Sequence, residues 1–357
     1  MVIRFSCVVL VISCGGDDNP LDLPLPDAEV RYRTKYVDIA PLSDSPVCAG
    51  TLKMMDDHIE YMLDVLGLQL TRRISMFLVH PGEAAEGDWC DDWTMNDIVA
   101  GCYLPTKDVI LTNFGAIPHE LIHAITSEIG HSWWTEGIAY GFSPGVPDVP
   151  DFSSGWSDVR GDSGHLSRWL VERYGGDTFV ELFEHSMPRH ADRATVEAAV
   201  RDVLGSSFTE VLSEYAATSA YVYPDYWSCY VPQGVAESLW IGDYWESEVV
   251  LDCTQKETFS RDDFTQKQGM TARIPVTIPR AGPYHFLADH PDAELFMQPC
   301  PTDPLIDPMP EAYKWPIPLN PLNVGAPTFQ EGPHVLLVHI PPGDPTTVGL
   351  IGYLSVD

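Results

Sequence analysis

Residues His119-Glu120-Leu121-Ile122-His123 point to a fold that presents one helix face to a cation, the alternative being a surface helix with two solvated histidines. Histidines four apart on a helix lie one turn above each other on the same side. Both imidazoles can then reach one metal at about 2.0–2.1 Å. Glu120, from the same turn, leans toward the open coordination position, where a base for bound water belongs. The flanks favour a packed helix over a solvated one. Leu121 and Ile122 are apolar, and Ala124 and Ile125 continue the buried face. Pro118 suits a first helical turn, where its missing N–H has no partner to lose, and Gly130 offers a stop.

Glu136, inside Trp133-Trp134-Thr135-Glu136-Gly137, is the candidate third ligand. A helix running from His123 to near Ile129 climbs about 9 Å at 1.5 Å per residue. The residues from Gly130 to Glu136, partly extended at about 3.3 Å each, can cover the return. Gly137 has no side chain, so a second helix can pack closely on the first. Two histidines, one carboxylate and a water form a catalytic zinc set. His131 is the rival third ligand, but its distance from His123 does not fit the HExxHxxGxxH pattern of metzincins. A loop histidine between two helices is its preferred account.

The segments Pro118-His119-Glu120-Leu121-Ile122-His123-Ala124 and Trp134-Thr135-Glu136-Gly137-Ile138-Ala139-Tyr140 resemble a gluzincin of the peptidase MA-like group, which pairs HExxH with a later E-G-x-A helix. Ser163 to Gly175 is similar to the helix that follows the active site in that group. The likeness covers roughly residues 30 to 225, with its strong motifs between 117 and 175. It implies that His119, His123 and Glu136 bind Zn2+ and that Glu120 is the general base. It also implies that the strand before the zinc helix lines the cleft and pairs with an extended substrate. The segment between His123 and Glu136 is shorter than in thermolysin or aminopeptidase N. The aminopeptidase GxMEN motif is absent, so the likeness assigns no exopeptidase activity. His165, Tyr140 and Tyr174 are the candidate oxyanion donors, each also at home as a packing residue.

The chain has 357 residues and a formal charge of -32. It is long enough for two cores. Such an acid excess argues against nucleic acid or an anionic membrane surface as partner. The N-terminus carries Arg4, an apolar run from Phe5 to Ile12, and then Ser13-Cys14-Gly15. This is the pattern of a secretory signal. The Val11-Ile12-Ser13-Cys14 ending resembles a bacterial lipobox, with Cys14 lipidated after cleavage, and the run is too short to span a bilayer. Residues 1–14 are thus expected to be a signal peptide, with 15–29 a flexible acidic tether. Export to the cell envelope follows, with membrane contact only through the lipid anchor.

Cys48, Cys90, Cys102, Cys229, Cys253 and Cys300 remain, an even number that suggests three disulfides in an exported chain. Cys90 with Cys102 is the preferred pair. Cys253 with Cys300 would then leave Cys48 to Cys229.

Hydrophobic periodicity predicts a strand over 31–40, a helix over 49–66 and strands over 74–80 and 108–113. Helices follow over 163–174, 177–186, 194–204 and 207–222, the last opened by a Ser207/Glu210 capping box. Residues 142–158 read as a loop. From about Cys229 prolines crowd in, and strand-like runs appear at 272–278, 284–288, 294–297, 335–340 and 348–354. The expected fold is an α+β zincin-like catalytic domain over 30–226, a small sheet plus a helical lobe. A small all-β sandwich or jelly-roll domain over 227–357 follows it. The expected activity is a zinc-dependent peptidase acting on a peptide or protein substrate. The alternatives are a non-catalytic zincin-like lipoprotein that binds an envelope or extracellular partner, and a zinc hydrolase acting on something other than peptides.

Overall fold

In the computed structural model, the residues described are 25–44, 46–78, 101–144, 163–220, 222–260, 269–304, 317–319 and 326–355. They form a mixed α+β architecture with seven α-helices and three sheets. Two compact units emerge: Met1–Ser45 with Met55–Ser219, and Pro46–Met54 with Ala220–Asp357. The expected signal peptide, the expected lipidation site Cys14 and most of the expected tether fall outside the described residues, as does most of the 142–158 loop.

The first unit holds a five-stranded sheet in the order β1-β2-β3-β5-β4. Its strands are β1 (Tyr32–Arg33), β2 (Val37–Pro41), β3 (Ile74–Leu78), β4 (Gly101–Leu104) and β5 (Val109–Thr112). The single strand expected over 31–40 is instead an antiparallel pair. Asp56 explains the break, because its carboxylate accepts from Thr34 Oγ1 at 2.6 Å, Lys35 N at 2.8 Å and Tyr36 N at 3.1 Å. Turn amides tied to a side chain cannot also serve a ladder.

Helix α1 (Ala49–Leu66) joins the parallel strands β2 and β3. Met55, Ile59, Met62 and Leu66 line its buried face, as their spacing requires. It stops at Gly67, whose φ of 65° is the left-handed conformation glycine adopts without a Cβ clash. All four residues of β5 are buried, and the strand feeds directly into the metal-site helix. Asn113 makes that turn: its Oδ1 accepts from Gly115 N at 2.9 Å and Ala116 N at 3.2 Å. A short 3-10 turn then leads into α2 (Ile117–Thr126).

Arg72 ties down the far end of α2. It donates to Ala124 O at 2.9 Å and Ser127 Oγ at 2.7 Å, and pairs with Asp108 at 2.6 Å and Glu128 at 3.1 Å. A cation at exposed C-terminal carbonyls complements the helix dipole. Beyond lie α3 (Thr135–Gly141), α4 (Gly164–Tyr174), α5 (Gly176–His185), α6 (Arg193–Leu204) and α7 (Phe208–Thr218). Gly137 does allow a close approach, but to α4. A Cβ there would collide with the hydroxyls of Ser163 and Ser167. Trp134 is fully buried, and its Nε1 donates to Ser186 Oγ at 3.1 Å. Both halves of the Ser207/Glu210 capping box form.

The second unit contains two antiparallel sheets. One runs β11-β10-β13-β8-β7, from Ile317–Pro318, Glu294–Pro299, Gly332–Ile340, Met270–Ile278 and Thr258–Phe259. The other runs β12-β9-β14-β6, from Thr328–Phe329, Gly282–Ala288, Thr346–Leu354 and Tyr244–Leu251. Trp245, Tyr284, Phe286 and Leu350 of the second sheet share one buried cluster with Ile274, Met297 and Leu336 of the first.

Two cysteine pairings differ from expectation. Cys48 bonds Cys253, and Cys229 bonds Cys300. The reason is that residues 46–54 belong to the second unit despite their place in the sequence. Ala49 N donates to Cys253 O at 2.9 Å, and Ser260 N donates to Thr51 Oγ1 at 2.9 Å, which carries Cys48 to Cys253. Cys102 is disulfide-bonded, whereas Cys90, its expected partner, lies outside the described residues. Disulfides point to an oxidising, extracytoplasmic environment. Among the described residues no helix is long and apolar enough to cross a membrane.

Candidate metal centre

Helix α2 places His119 and His123 side by side, with their Nε2 atoms 3.0 Å apart. Helix α3 returns Glu136 to them. Its Oε2 lies 3.4 Å from His119 Nε2, and its Oε1 lies 3.5 Å from His123 Nε2. Four donors at about 2.0–2.1 Å from a tetrahedral metal would be spaced by about 3.3 Å, close to these separations. The three residues form the one group of potential ligands found among the described residues, and they could hold a metal ion.

Glu120 sits between the histidines in sequence and is buried, and its Oε2 has no hydrogen-bond partner among the described residues. Burial pushes its carboxyl above the ordinary value, while His119 and His123 oppose that shift. Glu136 behaves in the opposite way. Burial would raise it, but His123, His119 and Arg189 together hold it well below the usual carboxylate range. The His119 imidazole is lowered by burial and raised by Glu136 and Glu120, with a net upward shift. Two carboxyls within one small site are thus driven apart, one toward the proton and one away from it.

His131 is outside the ligand group. Burial, Arg189 and His123 push it down to about 4, so it is a neutral neighbour of the centre. Among the three candidate donors, the structure brings only Tyr140 to the site. Its ring packs on His119, with centroids 4.5 Å apart. His165 bonds Tyr215 through Nδ1 at 2.7 Å, and Tyr174 donates to Glu214 at 2.9 Å.

Two participants carry no signal in the sequence. Arg189 lies between α5 and α6, and its Nη2 donates to Glu136 Oε1. No spacing rule links residue 189 to the motif. Gly101, in the edge strand β4, lies against Glu120, where a Cβ would come within 3.1 Å of Glu120 Cγ. Comparison with protein-family models gives no match for the chain, and no curated protein matches it.

Proposed function

We propose that the protein is a zinc-dependent peptidase with a zincin-like catalytic unit and a β-sandwich companion, exported and tethered through Cys14. The convergence of His119, His123 and Glu136 beside the buried, unpartnered Glu120 Oε2 carries this reading. Two imidazoles and one carboxylate are a catalytic rather than a structural donor set for zinc, since the fourth position stays open. When bound, zinc supplies Lewis acidity and a water with a pKa of about 7.

The remaining steps belong to the chain. His119 and His123 offer imidazole nitrogens, and Glu136 offers a carboxylate that stays ionised. Glu120 Oε2 accepts a proton from the attacking water and returns it to the leaving amine nitrogen. Burial shifts it upward, the direction that favours holding the proton until it is returned. A peptide is the favoured substrate because β4 is an edge strand among the described residues and its Gly101 abuts Glu120, whereas β5, the strand before the metal-site helix, is paired on both sides and cannot take the substrate the resemblance assigned to it. An extended backbone added to that edge would pass the base.

The test is metal analysis of the purified protein and its Glu120→Gln variant, with mixed-peptide digests read by mass spectrometry. Both should hold about one zinc per chain, and only the wild type should cleave. Cleavage by Glu120→Gln, or a wild type that binds no zinc, would refute the reading.

A further inference from the structure

We propose that Arg189 is a positioning residue for the metal centre. It holds Oε1 of Glu136 from outside the ligand group and so fixes the carboxylate against His119 and His123. The inference rests on the metal-site reading above and extends it to a residue outside the ligand set.

Three observations support it. First, the chain holds 20 lysines and arginines against 52 acidic residues, so most basic side chains have acidic partners to choose from at the surface. Arg189 instead has its side chain only 7% exposed, against a 19% exposed Glu136. Burying a guanidinium is costly unless its charge is matched. Second, the carboxylate is held from two sides. Arg189 Nη2 donates to Oε1, which lies 3.5 Å from His123 Nε2, while Oε2 lies 3.4 Å from His119 Nε2. Third, Arg189 comes from the segment between α5 and α6, while Glu136 sits on the first turn of α3. A carboxylate gripped from a separate element cannot swing away with its own rotamer.

Two effects of Arg189 on a bound cation oppose each other. Its positive charge repels the metal, and its hydrogen bond removes rotational freedom from the ligand. Outer partners of ligating groups, when removed, typically cost about 10–100-fold in metal affinity. Orientation therefore outweighs repulsion, and loss of Arg189 should weaken binding.

The experiment is zinc affinity of the full-length protein by competition with a chromophoric chelator. Wild type, Arg189→Met, Arg189→Lys, Glu136→Ala and the Arg189→Met/Glu136→Ala pair are compared. Arg189→Met should bind about 10–100-fold more weakly. Arg189→Lys should fall between it and wild type. In the Glu136→Ala background the Arg189→Met change should cost less than about twofold, because its action runs through Glu136. An Arg189→Met protein that binds zinc as tightly as wild type overturns the proposal. So does an equal loss with and without Glu136. If circular dichroism shows Arg189→Met unfolded, Arg189→Lys carries the test. An affinity equal to wild type, or a loss that persists without Glu136, then overturns it. A wild type that takes up no zinc defeats the metal-site reading itself, which separates the two failures.

Discussion

Gly101 on strand β4 faces the side chain of Glu120 so closely that a Cβ at 101 would stand 3.1 Å from Glu120 Cγ. The same Cβ would meet Thr112 Oγ1 at 2.7 Å, so nothing behind the strand yields easily. Gly101→Ala should therefore displace the base while leaving the ligands in place. Turnover should drop by up to about tenfold, less than the hundredfold a full 1 Å misplacement can cost. Zinc content should stay at the wild-type level. Peptide-cleavage kinetics with parallel metal analysis read both, and unchanged turnover would sink the expectation.

Glu136 and His131 make opposite predictions. Glu136→Ala removes a ligand and should empty the site during dialysis against a mild chelator. His131→Ala should keep its zinc, because His131 is outside the ligand group. Metal analysis after identical dialysis distinguishes them. A metallated Glu136→Ala beside a metal-free His131→Ala would reverse the assignment of the third ligand.

Gly137 sits where α3 meets the Ser163 and Ser167 hydroxyls of α4. Gly137→Ala gains helix propensity of about 1 kcal/mol but overpacks this contact, at a typical cost of about 1–3 kcal/mol. Both serines are fully buried, so the clash should dominate. Urea unfolding should show a lower midpoint, and a higher one would mean that the helices separate without strain.

Burial pushes His58 down to about 3, opposed by a backbone hydrogen bond at Pro118. In the unfolded chain it returns to about 6.5. Between these values the unfolded state binds the extra proton, so stability from the neutral ring is complete above about pH 6.5. It is lost progressively as pH falls toward 3, by up to about 1.4 kcal/mol per pH unit. Metal-free protein should thus unfold at lower urea at pH 5 than at pH 7, and His58→Leu should show a shallower dependence. Equal slopes for the two proteins would remove His58 from the account.

The sequence was most legible where period and punctuation agreed. Helix α1 follows its Met55, Ile59, Met62 and Leu66 spacing and ends at Gly67. The cluster of His119, His123 and Glu136 was legible because a helix fixes the first pair and chain length permits the third. Strand Tyr244–Leu251 was not anticipated. Polar Ser247 on the side of the inward Trp245 and Leu251, and apolar Val250 on the exposed side, blur the alternation. Cys48 fell to Cys229 by elimination, yet its partner Cys253 follows the contacts of residues 46–54. Arg189 reaches Glu136 from another element. Such a pairing is set by tertiary packing alone, and no local pattern encodes it.

The bond between Cys48 and Cys253 spans 205 positions. A protease that nicks the backbone once anywhere from residue 49 to 252 would therefore release nothing. Both pieces would migrate together on a gel until a thiol reagent separated them. A chain exposed to proteases outside the cytoplasm would thus keep His119, His123 and Glu136 on covalently joined polypeptide after a first cut.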